Sequence, residues 1–154
     1  MMKIAVSGAQ CTGKSTYVKD FLKNWTNYKT PEKGYRDFIK EQNLPHSKNG
    51  TEESQRAILN ALLDESQQYT RKDNVIFDRC ILDNLAYSSW LFLNEKVSER
   101  FLDETRITIR EALKTFDIIF FFPLTNVSPV DLKEGETRDS DGIYREEIDN
   151  IFKT

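Results

Sequence analysis

A nine-residue segment near the start of the chain constrains its fold more than any other stretch. Within this segment, residues 8–16, the first eight fit the pattern G-x-x-x-x-G-K-[ST] without a mismatch. The apolar run Ile4-Ala5-Val6 precedes the segment, and apolar residues at helical spacing follow it. Because the pattern requires a strand, a loop and a helix in this order, the context favours a phosphate-binding loop over a simple glycine turn.

Each part of this loop has a predicted contact with a nucleoside triphosphate. The glycines allow backbone N–H groups to surround a phosphate, and the helix that begins near Lys14 directs its positive dipole end at the same anion. Lys14 is expected to reach the β- and γ-phosphates, and the Ser15 hydroxyl is expected to bind Mg²⁺. The predicted nucleotide-binding residues of the loop are Gly8, Ala9, Gln10, Cys11, Thr12, Gly13, Lys14, Ser15 and Thr16.

The composition indicates one globular domain over residues 1–154. Charged residues make up 31% of the chain and hydrophobic residues 38%, a balance that is typical of a soluble enzyme. The net charge of −3 gives no basic surface of the kind that drives non-specific binding of nucleic acids. Any polynucleotide substrate would therefore need a local basic patch.

Three features indicate a cytoplasmic protein. No apolar run approaches the roughly 18 residues of a membrane span, and the first residues lead directly into a strand pattern instead of a signal peptide. A disulfide at Cys11 or Cys80 would obstruct the predicted site, so both cysteines are interpreted as reduced.

Strand and helix patterns alternate along the chain. This order predicts an α/β fold of the P-loop NTPase type, a three-layer sandwich in which helices flank a central parallel sheet of about four to five strands. Strands are expected at 3–7, 28–31, 74–78 and 117–122, the last of them an apolar run typical of a buried strand. Helices are expected at 15–24, 35–42, 52–71, 81–93, 97–116 and 142–152, with an exposed, mobile loop at 43–51.

The segment Val75-Ile76-Phe77-Asp78 has the form of a Walker B element. In such an element the acid at the end of an apolar strand lies beside the phosphate loop and holds Mg²⁺ directly or through water. Capping of the helix that follows is the alternative role for Asp78. The predicted metal-binding residues are therefore Ser15 and Asp78, and the predicted cofactors are ATP and Mg²⁺.

The pair Asp78-Arg79 distinguishes among P-loop proteins. It resembles a motif of the thymidylate and deoxynucleoside kinases, in which the arginine orients phosphate or substrate. A switch GTPase would show a glycine after the aspartate and an N-K-x-D motif, and the sequence has neither. The resemblance implies that Arg79 takes part in catalysis and contacts the substrate.

The end of the chain carries a second resemblance. Residues 134–149 read EGETRDSDGIYREEID. This segment is similar to the lid of the nicotinamide-riboside-kinase-like (NadR-type) P-loop family, in which a charged loop with an arginine precedes a helix. The resemblance implies a mobile lid over about residues 125–145, in which Arg138 and Arg145 bind the nucleotide and Arg138 assists catalysis. A solvated charged loop and helix face is the alternative.

A third segment, residues 31–39, resembles the E-x-x-R-x-(Y/F)-(I/L) segment of the same family. The resemblance implies that Glu32 faces the acceptor hydroxyl as general base and that Arg36 binds substrate. Tyr35 stands where the family usually has alanine, and the nearby acids Asp37 and Glu41, like Asp78, are alternatives for the base.

Three further side chains are candidates for the substrate pocket. Asp83 is four residues past Arg79 and is expected to direct a carboxylate toward a base or sugar. Tyr87 and Trp90 are expected either to stack on a ring or to belong to the core. The single histidine, His46, lies among turn-forming residues and is expected to be solvated.

Together these features predict an ATP-dependent kinase that transfers the γ-phosphoryl group to a hydroxyl of a nucleoside, nucleotide or ribosyl small molecule. One alternative is a phage-type kinase of 5-hydroxymethyluracil in DNA, which belongs to the same P-loop family. Another is a P-loop ATPase or nucleotide-binding regulator without kinase activity. The family would place a further strand after the lid helix, and the sequence shows none before Thr154.

Overall fold

Strands and helices alternate in the computed structural model, which describes residues 1–125 and 142–154. The strands in this part of the chain are β1 (Lys3–Ser7), β2 (Val75–Asp78) and β3 (Ile118–Phe121). The helices are α1 (Lys14–Asn24), α2 (Tyr35–Glu41), α3 (Glu52–Gln67), α4 (Ile81–Leu93), α5 (Glu99–Leu113) and α6 (Gly142–Lys153), with short 3-10 helices at Ser47–Asn49 and Arg71–Asp73.

The three strands form one parallel sheet in the order β2-β1-β3. Val6 of β1 lies opposite Asp78 of β2 on one side and Phe120 of β3 on the other. Parallel strands end at the same edge of a sheet, so the loop after β1 and the end of β2 are neighbours. The predicted α/β P-loop fold with a parallel sheet between helices is confirmed.

The sheet of the described residues has three strands, fewer than the four to five expected. The segment predicted as a second strand keeps one parallel bridge, between Lys29 and Val75, in which Lys29 donates to the Asn74 carbonyl oxygen at 2.9 Å and accepts from the Ile76 N–H at 2.9 Å. Pro31 follows two residues later and has no N–H to continue the ladder. The pairing of this segment with β2 is therefore limited to this single bridge.

Strand β3 is an edge strand of the described sheet, and the expectation of a fully buried strand is wrong. Phe120 and Phe121 are 36% and 40% exposed. Within the described sheet the strand pairs on one side only, with β1. The Phe120 ring packs edge-on against Tyr17 of α1. An apolar run does not distinguish a central strand from an edge strand, because both have at least one covered face.

Alternate residues of the central strand face two different helical layers. Ile4 and Val6 belong to the cluster that includes Val18 of α1, whereas Ala5 belongs to the cluster that includes Ile58 of α3. Period-two alternation thus buries both faces of β1, which fixes its position in the middle of the sheet. A third cluster joins α4, α5 and α6 beside the sheet.

Within residues 1–125 and 142–154, none of the helices combines the length and apolar character that a membrane crossing requires. Cys11 and Cys80 are both buried and both free thiols.

Candidate active site

The loop after β1 uses backbone conformations that require its two motif glycines. Gly8 has a φ of +146°, and a Cβ atom there would lie 2.5 Å from the Phe122 carbonyl oxygen. Gly13 has a φ of +88° and precedes the first residue of α1. Since L side chains rarely adopt either conformation, these positions let the chain turn sharply from strand to helix. Helix α1 begins at Lys14, one residue before the predicted start.

Lys14 is 4% exposed and lies over the inside of the loop. Its Nζ donates to the Gly8 carbonyl oxygen at 2.9 Å, to the Thr12 hydroxyl at 3.1 Å and to the Ala9 carbonyl oxygen. Burial lowers the pKa of Lys14 to about 7, and the positive charge of Arg79 contributes in the same direction. A phosphate next to Nζ would favour the charged form, so this position is electrostatically suited to an anion.

The Ser15 hydroxyl and the Asp78 carboxylate are in direct contact beside the loop. Ser15 Oγ donates to Asp78 Oδ2 at 2.6 Å. Adjacent oxygen ligands of an octahedral Mg²⁺ lie about 3 Å apart, so one ion could bind both oxygens after a small adjustment. The described residues contain no cluster of three or more His, Cys, Asp or Glu side chains that could hold a metal. A site with few protein ligands fits Mg²⁺, which usually keeps waters and substrate phosphates as ligands.

Arg79 is 7% exposed and connects the loop to helix α4. Its Nη1 donates to the Tyr87 hydroxyl at 3.1 Å, and that hydroxyl donates to Gln10 Oε1 at 3.2 Å. The guanidinium also lies 5.4 Å from the centre of the Tyr35 ring. The backbone of Arg79 has a φ of +82°, which is unusual for a residue with a side chain. The arginine directly follows Asp78, the predicted metal-binding acid.

Asp83 does not face a substrate as expected. Its side chain is fully buried and accepts hydrogen bonds from Ser7 Oγ at 3.0 Å and from the N–H groups of Gly8 and Cys80 at 3.3 and 2.9 Å. Its Oδ1 lies 3.7 Å from Arg79 Nη1. The carboxylate therefore joins the start of the loop to the start of α4, and no area is left for a ligand to contact.

A cavity of about 290 Å³ lies between the loop, helix α2 and Arg79. We call it the acceptor cavity; its lining residues are Gln10, Tyr35, Arg36, Ile39, Lys40, Asn43, Leu44, His46, Ser47, Arg79 and Tyr87. Gln10 Nε2 is buried and has no hydrogen-bond partner within the described part of the chain. An unpaired buried donor in a cavity wall is a position where a ligand oxygen can bind.

The predicted substrate residues Arg36, Arg79 and Tyr87 all line the acceptor cavity. Four residues of the loop predicted at 43–51 also line the cavity, namely Asn43, Leu44, His46 and Ser47, so this loop is only partly exposed. Gly50 is buried close to Leu91 of α4, which holds this segment against the protein. The four-residue spacing of Arg36 and Lys40 is the sequence signal that could have identified Lys40 as a wall residue.

The three acids near α2 lie outside the acceptor cavity. Glu32 is exposed and lines a separate cavity of about 420 Å³, together with Glu41 and Glu65. Asp37 accepts the Gly34 N–H at 2.9 Å at the start of α2, and Glu41 is paired with Lys33 at 2.8 Å. Of the candidates for the general base, Asp78 is the one placed beside the loop.

Glu65 of α3 is an acid that no sequence pattern distinguishes from the other charges of its helix. It is half-buried and lines a cavity of about 240 Å³ together with Ser15 and Asp78. Burial raises the pKa of its carboxyl to about 7. A carboxyl whose pKa is raised by burial therefore lines the same cavity as the predicted metal-binding pair.

Arg145 belongs to the predicted lid, and it contacts the phosphate loop. Its Nε donates to the Gln10 carbonyl oxygen at 3.2 Å, and its Nη2 donates to the Cys11 carbonyl oxygen at 3.1 Å. Arg138 and most of the predicted lid lie outside the described residues. Trp90 belongs to the core: its Nε1 donates to Glu147 at 2.7 Å and its ring packs edge-on against Tyr144.

Similar folds occur in solved kinase structures. A structure of NadR protein in complex with NR matches with a TM-score of 0.65 and 16% identity, over 94% of this chain and 40% of the NadR chain. Deoxyadenosine kinase from M. mycoides with bound dATP matches with a TM-score of 0.70 and 20% identity, over 99% of this chain and 82% of the kinase. The same kinase with products dCMP and dCDP gives 0.66 and 18%, over 99% and 81%. At these identities the likeness establishes the fold.

None of the curated proteins matches the chain significantly by sequence. A family model does: the model described as an AAA domain matches residues 3–154, which is nearly the whole chain. Together with the shared fold of NadR and deoxyadenosine kinase, this match confirms the predicted relationship to NadR-like P-loop proteins. The chain therefore belongs to the AAA-domain family of P-loop proteins.

Proposed function

We propose that this protein is an ATP-dependent kinase that transfers the γ-phosphoryl group to a hydroxyl of a nucleoside, nucleotide or ribosyl small molecule. The observation that carries the proposal is the contact between Ser15 and Asp78, at 2.6 Å, beside a phosphate loop that shares Gln10 with the acceptor cavity. A donor site and an acceptor site thus adjoin each other, as phosphoryl transfer requires. The kinases with similar folds support the same class of reaction.

On the donor side, the loop N–H groups, the start of α1 and Lys14 would hold the phosphates of ATP. Ser15 and Asp78 would hold Mg²⁺, which neutralises charge on the phosphates when it is bound. Arg145 lies against the loop carbonyls, and we assign it, with Arg79 and Arg138, to stabilising the charge that develops during transfer.

On the acceptor side, Arg36, Arg79 and Tyr87 would orient the substrate. The acceptor oxygen forms a bond to the γ-phosphorus while the bond from that phosphorus to the bridging oxygen of ADP breaks. The hydroxyl proton is released, and we assign its acceptance to Glu32, whose neighbours Pro31 and Lys33 line the same cavity as Ser15 and Asp78. This role requires the Glu32 carboxylate to turn from its own cavity toward the bound acceptor.

Radiolabelled ATP tests this function directly. The protein would be incubated with ATP, Mg²⁺ and a panel of nucleosides, nucleotides and ribosyl compounds, and separately with DNA that contains 5-hydroxymethyluracil. Label that appears in a small molecule supports the proposal. Transfer to DNA alone would contradict the small-molecule assignment, and hydrolysis of ATP at a rate that no acceptor changes would contradict the kinase assignment.

Replacing Glu32 with glutamine is expected to lower the transfer rate by about 10² or more and to leave ATP affinity unchanged. The physical reason is that glutamine cannot accept the hydroxyl proton. Transfer rates and ATP dissociation constants would be measured for E32Q, with E41Q and D37N as matched variants of exposed acids on the same side of the protein. A normal rate for E32Q and a slow rate for either matched variant would move the base to that residue.

We also place the protein in the cytoplasm. Cys11 and Cys80 are both free thiols in a buried setting, one of them within the phosphate loop. Free thiols at such positions are typical of proteins in reducing compartments.

A further inference from the structure

One side chain of the phosphate loop is also part of the wall of the acceptor cavity. Among the loop residues 8–16, all of which the structure describes, Gln10 is the one that lines this cavity. Gln10 is 4% exposed, and its backbone carbonyl oxygen accepts a hydrogen bond from Arg145 Nε at 3.2 Å. The residue is therefore held in place where the predicted donor site meets the acceptor cavity.

A pair of hydrogen bonds sets the orientation of the Gln10 side-chain amide. Arg79 Nη1 donates to the Tyr87 hydroxyl at 3.1 Å, and a guanidinium can only donate. The hydroxyl accepts from Arg79 and donates its single proton to Gln10 Oε1 at 3.2 Å. The Oε1 atom of the amide is thus engaged with Tyr87, and the Nε2 group is the end of the amide that is left to bind something else.

The Nε2 group of Gln10 is a donor without an acceptor. It is buried, and within residues 1–125 and 142–154 it has no hydrogen-bond partner. A buried donor without a partner is unfavourable, and such groups are rare in folded proteins. A ligand oxygen in the cavity would supply the acceptor after a small rotation of the terminal amide, because this torsion is broad.

The position of Gln10 in the chain indicates which part of a ligand would carry this oxygen. Lys14, which is expected to hold the β- and γ-phosphates, donates to the carbonyl oxygens of Gly8 and Ala9, the two residues before Gln10. Phosphoryl transfer requires the reacting hydroxyl to approach the γ-phosphorus to about 3–3.5 Å. The part of the acceptor nearest Gln10 is therefore the part that carries this hydroxyl. In nucleosides, nucleotides and ribosyl compounds that part is the sugar.

We propose that Gln10 Nε2 donates a hydrogen bond to a sugar oxygen of the phosphoryl acceptor, and that Gln10 thereby selects acceptors that carry this oxygen. The proposal rests on the proposed kinase function and deepens it, because it assigns recognition of the acceptor to a residue of the donor loop. The main chain of Gln10 serves the donor, and its side chain serves the acceptor. Tyr87 is a positioning residue in this arrangement, since it acts through Gln10 Oε1.

Acceptors that lack one sugar oxygen test the proposal on the unmodified protein. Isothermal titration calorimetry would measure binding of nucleosides, their 5′-monophosphates and nicotinamide riboside, with a non-hydrolysable ATP analogue and Mg²⁺ occupying the phosphate loop. The same measurements would be made with 2′-deoxy, 3′-deoxy and carbocyclic analogues, the last of which lack the ring oxygen. The analogue without the recognised oxygen is expected to bind about tenfold more weakly than its parent, because Nε2 then stays unpaired.

The variant Q10M removes the donor and keeps a side chain of similar length. Affinity for the parent acceptor is expected to fall about tenfold, whereas affinity for ATP stays unchanged because the loop holds phosphates through its main chain. The sensitive analogue is expected to bind Q10M as it binds the unmodified protein, since the hydrogen bond is absent from both complexes. Q67M is the matched control, because Gln67 is exposed at the end of α3 and does not line the acceptor cavity.

The positioning role of Tyr87 is tested with Y87F, which keeps the ring and removes the hydroxyl that holds Gln10 Oε1. If Tyr87 acts through Gln10, the effects of Y87F and Q10M on acceptor affinity are not additive. The double variant is then expected to bind the acceptor about as weakly as Q10M alone. Additive effects would contradict the positioning role. Circular dichroism would verify that each variant is folded.

Each result decides for or against the proposal. A difference between parent and analogue that disappears in Q10M supports it, and the analogue concerned identifies the sugar oxygen. Equal binding of parent and all analogues to the unmodified protein, a loss of ATP affinity in Q10M, or no binding of any probe would overturn it. Binding that depends on the oxygen without label transfer would contradict the kinase function alone. Label transfer at the normal rate and normal KM in Q10M would contradict the inference alone.

Discussion

Replacing Asp78 with asparagine is expected to lower phosphoryl transfer by about 10³-fold. Asparagine keeps the shape of the side chain and can still bind the Ser15 hydroxyl, but it removes the negative charge that Mg²⁺ requires. The loss should therefore appear in Mg²⁺-dependent steps. Initial rates would be measured over a range of Mg²⁺ concentrations, and ATP binding would be measured with and without the metal.

The matched control for this substitution is D103N. Asp103 is an exposed acid on α5 that pairs with Arg106, so its loss should change neither rate nor Mg²⁺ dependence. If D78N transferred phosphate at the normal rate with normal Mg²⁺ dependence, Asp78 would have no role in metal binding. Its contact with Ser15 would then serve only to position the start of α1.

Replacing Asp83 with alanine is expected to reduce the free energy of unfolding by about 3–5 kcal/mol. The side chain accepts three hydrogen bonds that join Ser7, Gly8 and Cys80, and it lies beside the buried guanidinium of Arg79. Its removal leaves three donors without an acceptor and a buried cation without its neighbouring anion. Urea unfolding at equilibrium, followed by circular dichroism, would measure the change.

D103A is the control, since substitution of an exposed acid is expected to change stability by no more than about 0.5 kcal/mol. An alternative outcome would support the original sequence-based prediction for Asp83. If D83A kept its stability but lost affinity for the acceptor, the carboxylate would be a substrate contact after all.

The donor side of the site could be predicted from sequence because each of its parts is contiguous. The loop residues are consecutive, and Asp78 ends an apolar strand that has to pair with β1 to bury its side chains. Parallel pairing then brings Asp78 to Ser15 without further information. The fold class could also be predicted from sequence, because the strand, loop and helix that define it follow one another along the chain.

The acceptor side could not be predicted in the same way, because its wall combines separate segments. Residues of α2, of the 43–47 segment and of the loop meet only through tertiary packing. Asp83 illustrates the same limit: its spacing from Arg79 fits a substrate contact, but the fold turns it inward under the loop. Strand β3 was predicted in the right place, whereas its exposure depends on which strands lie next to it.

The pairing of the central strand has a consequence for the order in which the protein folds. Strand β1 is synthesised before both of its partners, which lie more than 70 and more than 110 residues later in the chain. Arg145 contacts the carbonyls of Gln10 and Cys11 across almost the whole sequence. Contacts this distant in sequence slow folding, because forming them requires closing a long loop at a cost in chain entropy. On a ribosome, the contacts of the phosphate loop can therefore be completed only after the segment that carries Arg145 has emerged.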